Sequence, residues 1–140
     1  MSDIVFVDTN VLLDVLLDRK PFVADAQRIW TLCERETIRG VMSAASFLNI
    51  YYVVGRLASR REAERAIQVM RGIFQIAAID GDIIESAINA QSVDFEDAVQ
   101  QACAIQANAM CIITRDRKHF VSSPMPAMEP DIFLSQLKLK

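Results

Sequence analysis

Two short apolar runs, each ending in an aspartate, constrain the fold of this chain more than any other feature. The first is IVFVD, which ends at Asp8, and the second is MCIITRD, which ends at Asp116. Neither run alternates apolar with polar residues, as expected for strands of a parallel sheet that is covered on both faces. Both runs therefore predict buried parallel strands that deliver a carboxylate at their carboxyl ends.

Helical patterns separate these runs from further strand candidates. Apolar residues at helical spacing predict helices at 11–17, 47–54, 60–75 and 95–107, and Pro130 suits the start of a last helix. Further strands are predicted at GVMSA, QIAAI and MPAM, with Gly40 expected to close the helix before the first of them. Strands that alternate with helices predict an α/β fold, a three-layer α/β/α sandwich around a central parallel sheet of about four or five strands.

Length and composition are those of an ordinary globular domain. The 140 residues predict a single domain, 1–140, and a composition of 52% hydrophobic and 24% charged residues excludes disorder. No apolar stretch has the length of a membrane span, and Asp3 without a basic flank argues against a signal peptide. Cys33, Cys103 and Cys111 form no metal-binding spacing, so we expect reduced core thiols and a cytoplasmic protein.

A third aspartate, Asp97, lies in DFEDA at the start of the predicted helix 95–107. Loops at the carboxyl ends of parallel strands converge on one crevice, so Asp8, Asp97 and Asp116 are expected to meet there. Carboxylates gathered in one place repel one another unless a cation lies between them. Mg²⁺ and Mn²⁺ prefer such hard oxygen ligands, so the three aspartates predict a site for one of these ions.

Several of these polar residues also have a purely structural interpretation. Asp8 at a strand end, or Thr9 or Asn10, would suit the cap of the next helix, and Asp94 is expected to be the N-cap of the helix that carries Asp97. Asp14 and Asp18 are spaced i,i+4, which predicts the polar face of the first helix. His119 is expected to be a surface or loop residue.

Three segments, VDTNVLLDVLLDRKPF, DFEDAVQQACAIQANAMCIITRDRKHF and SSPMPAMEPDIFL, resemble in the same order the PIN domain family. This family comprises metal-dependent nucleases and includes the VapC-type toxins. The resemblance implies that Asp8, Asp97 and Asp116 are the acidic residues of the site, and that Thr114 is the hydroxyl residue beside the last of them. The family usually has a glutamate on the helix after the second strand, where this chain has Asn49.

The resemblance implies a Mg²⁺- or Mn²⁺-dependent ribonuclease that hydrolyses RNA phosphodiester bonds, as the toxin of a toxin–antitoxin pair. Thr9, Asn10, Asn49, Asp94 and Thr114 would support the site. An antitoxin protein and a second copy of the chain are the implied protein partners.

Two other functions are open. Because an amide at position 49 supplies no negative charge, the chain would alternatively be a non-catalytic PIN-like module that binds RNA or protein. A phosphotransfer domain is a third class, but an aspartyl phosphatase would need an aspartate where Asn10 stands, and a receiver would need a lysine after the final strand.

A net charge of −3 weighs against a nucleic-acid partner, although local patches matter more than the total. One basic concentration comprises Arg56, Arg60, Arg61 and Arg65, in which positions 56/60 and 61/65 are expected to be neighbours on a helix, and a second flanks Asp116. RNA contacts are accordingly expected at Arg60, Arg61, Arg115, Arg117 and Lys118. Glu62 and Glu64 interleave with the first group, so a salt-bridged surface is the alternative there. Phe47, Leu48 and Tyr51 are expected to form a core stripe rather than to stack on bases.

Overall fold

The computed structural model describes residues 3–90 and 94–138 of the chain. In this part, the strands are β1 (Ile4–Val7), β2 (Arg39–Ser43), β3 (Gln75–Ala77), β4 (Cys111–Ile113) and β5 (Ala127–Met128). The α-helices are α1 (Thr9–Leu16), α2 (Val23–Glu34), α3 (Ala44–Leu57), α4 (Arg60–Ile73), α5 (Gly81–Asn89), α6 (Phe95–Gln106) and α7 (Pro130–Lys138). A 3₁₀ helix, Arg117–Phe120, lies between β4 and β5.

The five strands form one parallel sheet in the order β3-β2-β1-β4-β5. In the register of the sheet, Phe6 of the central strand pairs with Val41 on one side and Ile112 on the other. The chain moves outward from β1 to β3 and then returns to place β4 on the opposite side of β1. The strand order therefore reverses between β1 and β4, and such a switch point opens a crevice beyond the carboxyl ends of the two strands.

Alternating side chains of β1, β2 and β4 enter two separate cores. Val5 and Val7 pack with side chains from α1, α2, α3, α4 and α7, whereas Phe6 packs with side chains from α5 and α6. Both faces of the sheet are thus covered by helices, which explains why its strands are apolar without alternation. The three-layer α/β/α sandwich predicted from the sequence is confirmed.

The role predicted for Gly40 is wrong. Helix α2 ends at Glu34, and Gly40 lies within β2. A Cβ atom at this position would lie 2.6 Å from Cys33 Sγ and 2.7 Å from Phe74 Cδ1, so only glycine lets the strand pass this close to the side chains that cover it.

Two predictions about α3 also need correction. Phe47 and Tyr51 pack partly buried against the core as expected, but Leu48 is 76% exposed. Arg56 and Arg60 are not neighbours on one helix, because α3 ends at Leu57 and α4 begins at Arg60 after the Ser59 N-cap.

The three cysteines are buried in the core, as predicted. Burial raises the pKa of the Cys33 thiol to about 12 and that of Cys103 to about 11, which makes both poor nucleophiles. Among the described residues, no helix has the length and apolar character that crossing a membrane requires.

Candidate functional site

A cavity of about 370 Å³ opens at the carboxyl ends of β1 and β4, where the strand order reverses. It brings together all three aspartates singled out from the sequence. The residues that line it are Asp8, Thr9, Asn10, Leu13, Arg19, Asn49, Val53, Asp94, Glu96, Asp97, Gln100, Asp116 and His119. We call this space the carboxylate cavity.

Asp8 is held rigidly at the end of β1. Its backbone N–H donates to the Ile113 carbonyl at 3.0 Å, and Thr114 Oγ1 donates to its Oδ2 at 2.8 Å. Asp8 occupies the N-cap position of α1, but its carboxylate makes no capping hydrogen bond, and the expectation that Thr9 or Asn10 caps this helix is wrong. The carboxylate is therefore directed to the site and does not cap the start of the helix.

Thr114 couples Asp8 to Asp116. Its buried hydroxyl donates to Asp8 and accepts a 2.9 Å hydrogen bond from the backbone N–H of Asp116. Burial raises the pKa of Asp8, hydrogen bonds from Thr114 and Gln100 lower it, and the nearby Asp116 raises it further. Among the described residues, the groups that shift this pKa include no cation.

Asn49 reaches the cavity from α3. The start of this helix is fixed by Ser43, whose Oγ accepts from the Ser46 N–H at 3.1 Å, and by a 2.6 Å hydrogen bond between the Ser46 and Thr9 hydroxyls. Asn49 lies nearly one turn later, and its Nδ2 donates to Glu96 Oε1 at 3.4 Å. The amide therefore occupies the carboxylate cavity and contacts an acid of α6.

Helix α6 supplies Asp97. Asp94 is its N-cap, as predicted, because its Oδ1 accepts from the Asp97 N–H at 3.1 Å. Burial raises the pKa of Asp97 to about 6, the carboxylates of Asp94, Asp8 and Glu96 raise it too, and His119 opposes the shift. His119 Nδ1 lies 3.2 Å from Asp97 Oδ2, and its side chain is half exposed in the 3₁₀ helix, as a surface residue would be.

Gln100 is a site residue that the sequence reasoning missed. It is 2% exposed, it lines the carboxylate cavity, and its Oε1 has no hydrogen-bond partner among the described residues. A buried polar atom without a partner costs free energy, so an ordered water or a ligand is expected to satisfy it. The signal was available, since Gln100 follows Asp97 by three residues and shares its helix face.

The prediction for Asp14 and Asp18 is wrong. Helix α1 ends at Leu16, so Asp18 lies beyond it, and Asp14 is 1% exposed rather than on a polar face. Arg115 binds Asp14 with two hydrogen bonds of 2.7 and 3.2 Å and stacks over the Phe22 ring at 4.0 Å. Arg19, a second residue that the sequence reasoning missed, lies 3.7 Å from the same carboxylate.

The basic residues expected to contact RNA divide into two groups. Arg115, Arg117 and Lys118 line a neighbouring cavity of about 710 Å³ that shares Asp116 with the carboxylate cavity. Arg60 and Arg61 lie at the start of α4 and line neither cavity, and Arg60 pairs with Glu64 at 3.1 Å. The structure therefore places the first group beside the aspartates and the second group elsewhere.

The donor atoms of the carboxylate cavity suit a hard divalent cation. Asp8, Asp97 and Asp116 offer carboxylate oxygens, Asn49 and Gln100 offer amide oxygens, and Mg²⁺ and Mn²⁺ prefer such ligands. Within residues 3–90 and 94–138, no three side chains of His, Cys, Asp or Glu are close enough together to hold a metal ion as they stand. The fit therefore rests on donor type, on the raised pKa values of Asp8 and Asp97, and on the unpartnered Gln100 Oε1.

Solved structures with the same fold include a toxin and toxin–antitoxin complexes. The VapC20 toxin of Mycobacterium tuberculosis, which cleaves the sarcin–ricin loop, superposes with a TM-score of 0.69 at 15% identity, over 84% of this chain and 94% of that one. A toxin–antitoxin complex from Klebsiella pneumoniae gives a TM-score of 0.69 at 21% identity, over 90% and 97% of the two chains. VapBC2 of Rickettsia felis, bound to a DNA fragment from its promoter, gives 0.68 at 12% identity, over 90% and 98%.

Sequence comparison identifies the family. Curated protein sequences give no significant match to the chain. A family model described as "PIN domain", however, matches residues 4–118, which include all three aspartates, Asn49 and Thr114. This match covers most of the chain and agrees with the fold of the similar solved structures. The chain therefore belongs to the PIN domain family.

Proposed function

We propose that the protein is a Mg²⁺- or Mn²⁺-dependent ribonuclease that hydrolyses RNA phosphodiester bonds as the toxin of a toxin–antitoxin pair. One observation carries the proposal. Three carboxylates and a buried, unpartnered amide oxygen converge on the switch point of the sheet, and two of the carboxylates have raised pKa values. Membership in the PIN domain family supports the same reaction class.

Asp8, Asp97 and Asp116 would hold the cation, with Gln100 or Asn49 adding an amide oxygen. When bound, the ion supplies a water of lowered pKa as nucleophile and neutralises negative charge that develops on the phosphate. The protein contributes position. Thr114 fixes Asp8 relative to Asp116, and the Thr9–Ser46 hydrogen bond fixes the helix that carries Asn49.

RNA would lie across the two adjoining cavities. Arg117 and Lys118 are exposed beside Asp116 and would contact phosphates next to the cleaved bond. Arg115 is bound to Asp14 through two of its N–H groups, so its main contribution would be to support this edge of the site. Arg60 and Arg61 lie outside both cavities and would contact only a longer RNA.

The direct test is Mn²⁺-dependent cleavage of a labelled RNA by the wild type and by Asp116→Asn. We expect the variant to lose at least about 100-fold in cleavage rate, because one charged group of a preorganised site is removed. Asp25→Asn is the matched control, since Asp25 is an exposed acid on α2 that pairs only loosely with Arg28 at 3.9 Å. Equal cleavage by all three preparations would contradict the proposal.

A second function is favoured by Asn49. An amide in place of the usual family glutamate weakens cation binding, and this would suit a PIN-like module that binds RNA or protein without cleaving it. The two functions are separated by Asn49→Glu, which introduces the carboxylate that is usual in the family at this position, beside Glu96 and Asp97. If the wild type does not cleave RNA and the variant does, the module is the correct assignment.

An antitoxin is the proposed protein partner. Similar solved structures include toxin–antitoxin complexes, one of them from Klebsiella pneumoniae. In the described part of this chain, α3 exposes three large apolar side chains, Leu48, Tyr52 and Leu57, which a partner helix would cover. The product of an adjacent short gene is expected to copurify with the chain and to inhibit cleavage. A second copy of the chain on this face and a cytoplasmic location stay predictions.

A further inference from the structure

A phosphodiester that enters the carboxylate cavity meets an unfavourable field. Five acidic side chains line the cavity, namely Asp8, Asp94, Glu96, Asp97 and Asp116. Among the described lining residues, Arg19 alone carries a permanent positive charge. Among the described lining residues, Arg19 is therefore the one whose permanent charge attracts an anion into this cavity.

Asp14 does not fully neutralise the charge of Arg19. Two guanidinium groups face one buried carboxylate, and they face it unequally. Arg115 takes both oxygens of Asp14 at 2.7 and 3.2 Å, whereas the closest approach of Arg19 is 3.7 Å, beyond a hydrogen bond. Asp14 is thus neutralised mainly by Arg115.

The backbone of Arg19 is nevertheless fixed. Its backbone N–H donates to the Asp14 carbonyl at 3.0 Å, and its own carbonyl accepts from the Val23 N–H at 2.8 Å. The side chain is 33% exposed, so solvent and ligands reach it. A guanidinium on a fixed backbone that is only partly neutralised and open to solvent is suited to bind a phosphate through two N–H groups.

We propose that Arg19 is a phosphate-binding residue of the carboxylate cavity, with Asp14 and Arg115 as the residues that position it. This inference rests on the proposed ribonuclease function and names the group that receives the anionic substrate. The ligand is the phosphodiester backbone of single-stranded RNA. Contact with the backbone gives affinity without choosing a base.

The test measures binding of a short fluorescein-labelled single-stranded RNA by anisotropy in EDTA, where metal-dependent cleavage does not take place. We expect Arg19→Met to weaken binding about tenfold and to reduce the salt dependence of the binding constant by about one phosphate contact. Arg28→Met is the matched control, because Arg28 is an exposed arginine of α2 that pairs with Asp25 outside this cavity. The control is expected to leave both quantities unchanged.

Arg19→Lys distinguishes the loss of a phosphate contact from a general disturbance of the fold. A lysine keeps a positive point charge but not the two-pronged geometry, so its affinity should fall between those of the wild type and Arg19→Met. Equal binding by Arg19→Met and Arg28→Met, equal losses in Arg19→Lys and Arg19→Met, or no RNA binding by the wild type would each overturn the inference. Failure of the ribonuclease proposal is seen separately, as absence of Mn²⁺-dependent cleavage by a wild type that still binds RNA.

Discussion

Asp8 and Asp14 are buried carboxylates only six residues apart, yet the protein treats them differently. Asp14 is 1% exposed and faces two arginines, one of which grips both of its oxygens. Asp8 is 5% exposed and receives a hydroxyl hydrogen bond from Thr114, while its charged neighbour is another carboxylate, Asp116.

We propose that this difference separates a structural acid, Asp14, from a functional one, Asp8. A buried charge is normally paired, and around Asp14 the chain follows this rule with its own cations. Around Asp8 and Asp97 the described residues raise the pKa instead, because burial and nearby acids outweigh the hydrogen bonds and His119. We propose that the positive charge that compensates Asp8 comes from a bound divalent cation.

The largest effect is expected from breaking the structural pair. Asp14→Asn leaves the Arg115 guanidinium, 25% exposed, without its counter-charge, and losing one partner of a buried pair costs about 3 kcal/mol of unfolding free energy. Chemical denaturation of the metal-free protein measures this loss. A change below about 0.5 kcal/mol would show that the pair is not a structural element.

Gln100→Leu tests whether the buried amide of Gln100 contributes to cation binding. This change removes the unpartnered Oε1 and the hydrogen bond from Gln100 to Asp8, and it should weaken Mn²⁺ binding about tenfold, as expected for a residue that ligates or supports a site. Calorimetric titration gives the affinity. Gln101→Leu, on the same helix but outside the cavity lining, is the control, and equal affinities in the two variants would remove Gln100 from the site.

The smallest effect concerns Asp97 and pH. Its pKa is raised from 3.8 to about 6, so its ionised form destabilises the fold, and stability falls as pH rises from about 4 to about 6. In EDTA, Asp97→Asn should therefore exceed the wild type in stability at about pH 7.5 by on the order of 1 kcal/mol, with solvent screening taken into account. The advantage should vanish near pH 4. A stability difference between Asp97→Asn and the wild type that does not depend on pH would contradict the raised pKa of Asp97.

Local sequence patterns predicted the frame of the site. The unalternating runs placed β1 and β4, and the spacing between Asp94 and Asp97 predicted a cap that is confirmed. The fold class followed from the alternation of strands and helices. These features depend on neighbours within one turn or one strand, which a sequence displays directly.

Long-range contacts explain what the sequence reasoning missed. Asp14 was assigned to a polar helix face because its partner Arg115 lies 101 residues later in the chain. Leu48 fits an apolar stripe by spacing, but the width of the face that α3 buries depends on how it packs. Arg19 follows the end of α1, and no local pattern indicates that this turn folds back over the carboxylate cavity.

The most direct test of a cation site at Asp8 is to measure Mn²⁺ binding by the wild type and by Asp8→Asn. Thermal unfolding with and without the ion then gives the stabilisation of each protein. We expect Mn²⁺ to stabilise the wild type by about 3 kcal/mol at a concentration 100 times its Kd, whereas Asp8→Asn should show little binding and little stabilisation. We also expect the variant to be the more stable protein in EDTA, because burial disfavours the ionised form of Asp8, which asparagine lacks. Equal Mn²⁺ stabilisation of the two proteins, or none in the wild type, would contradict the account.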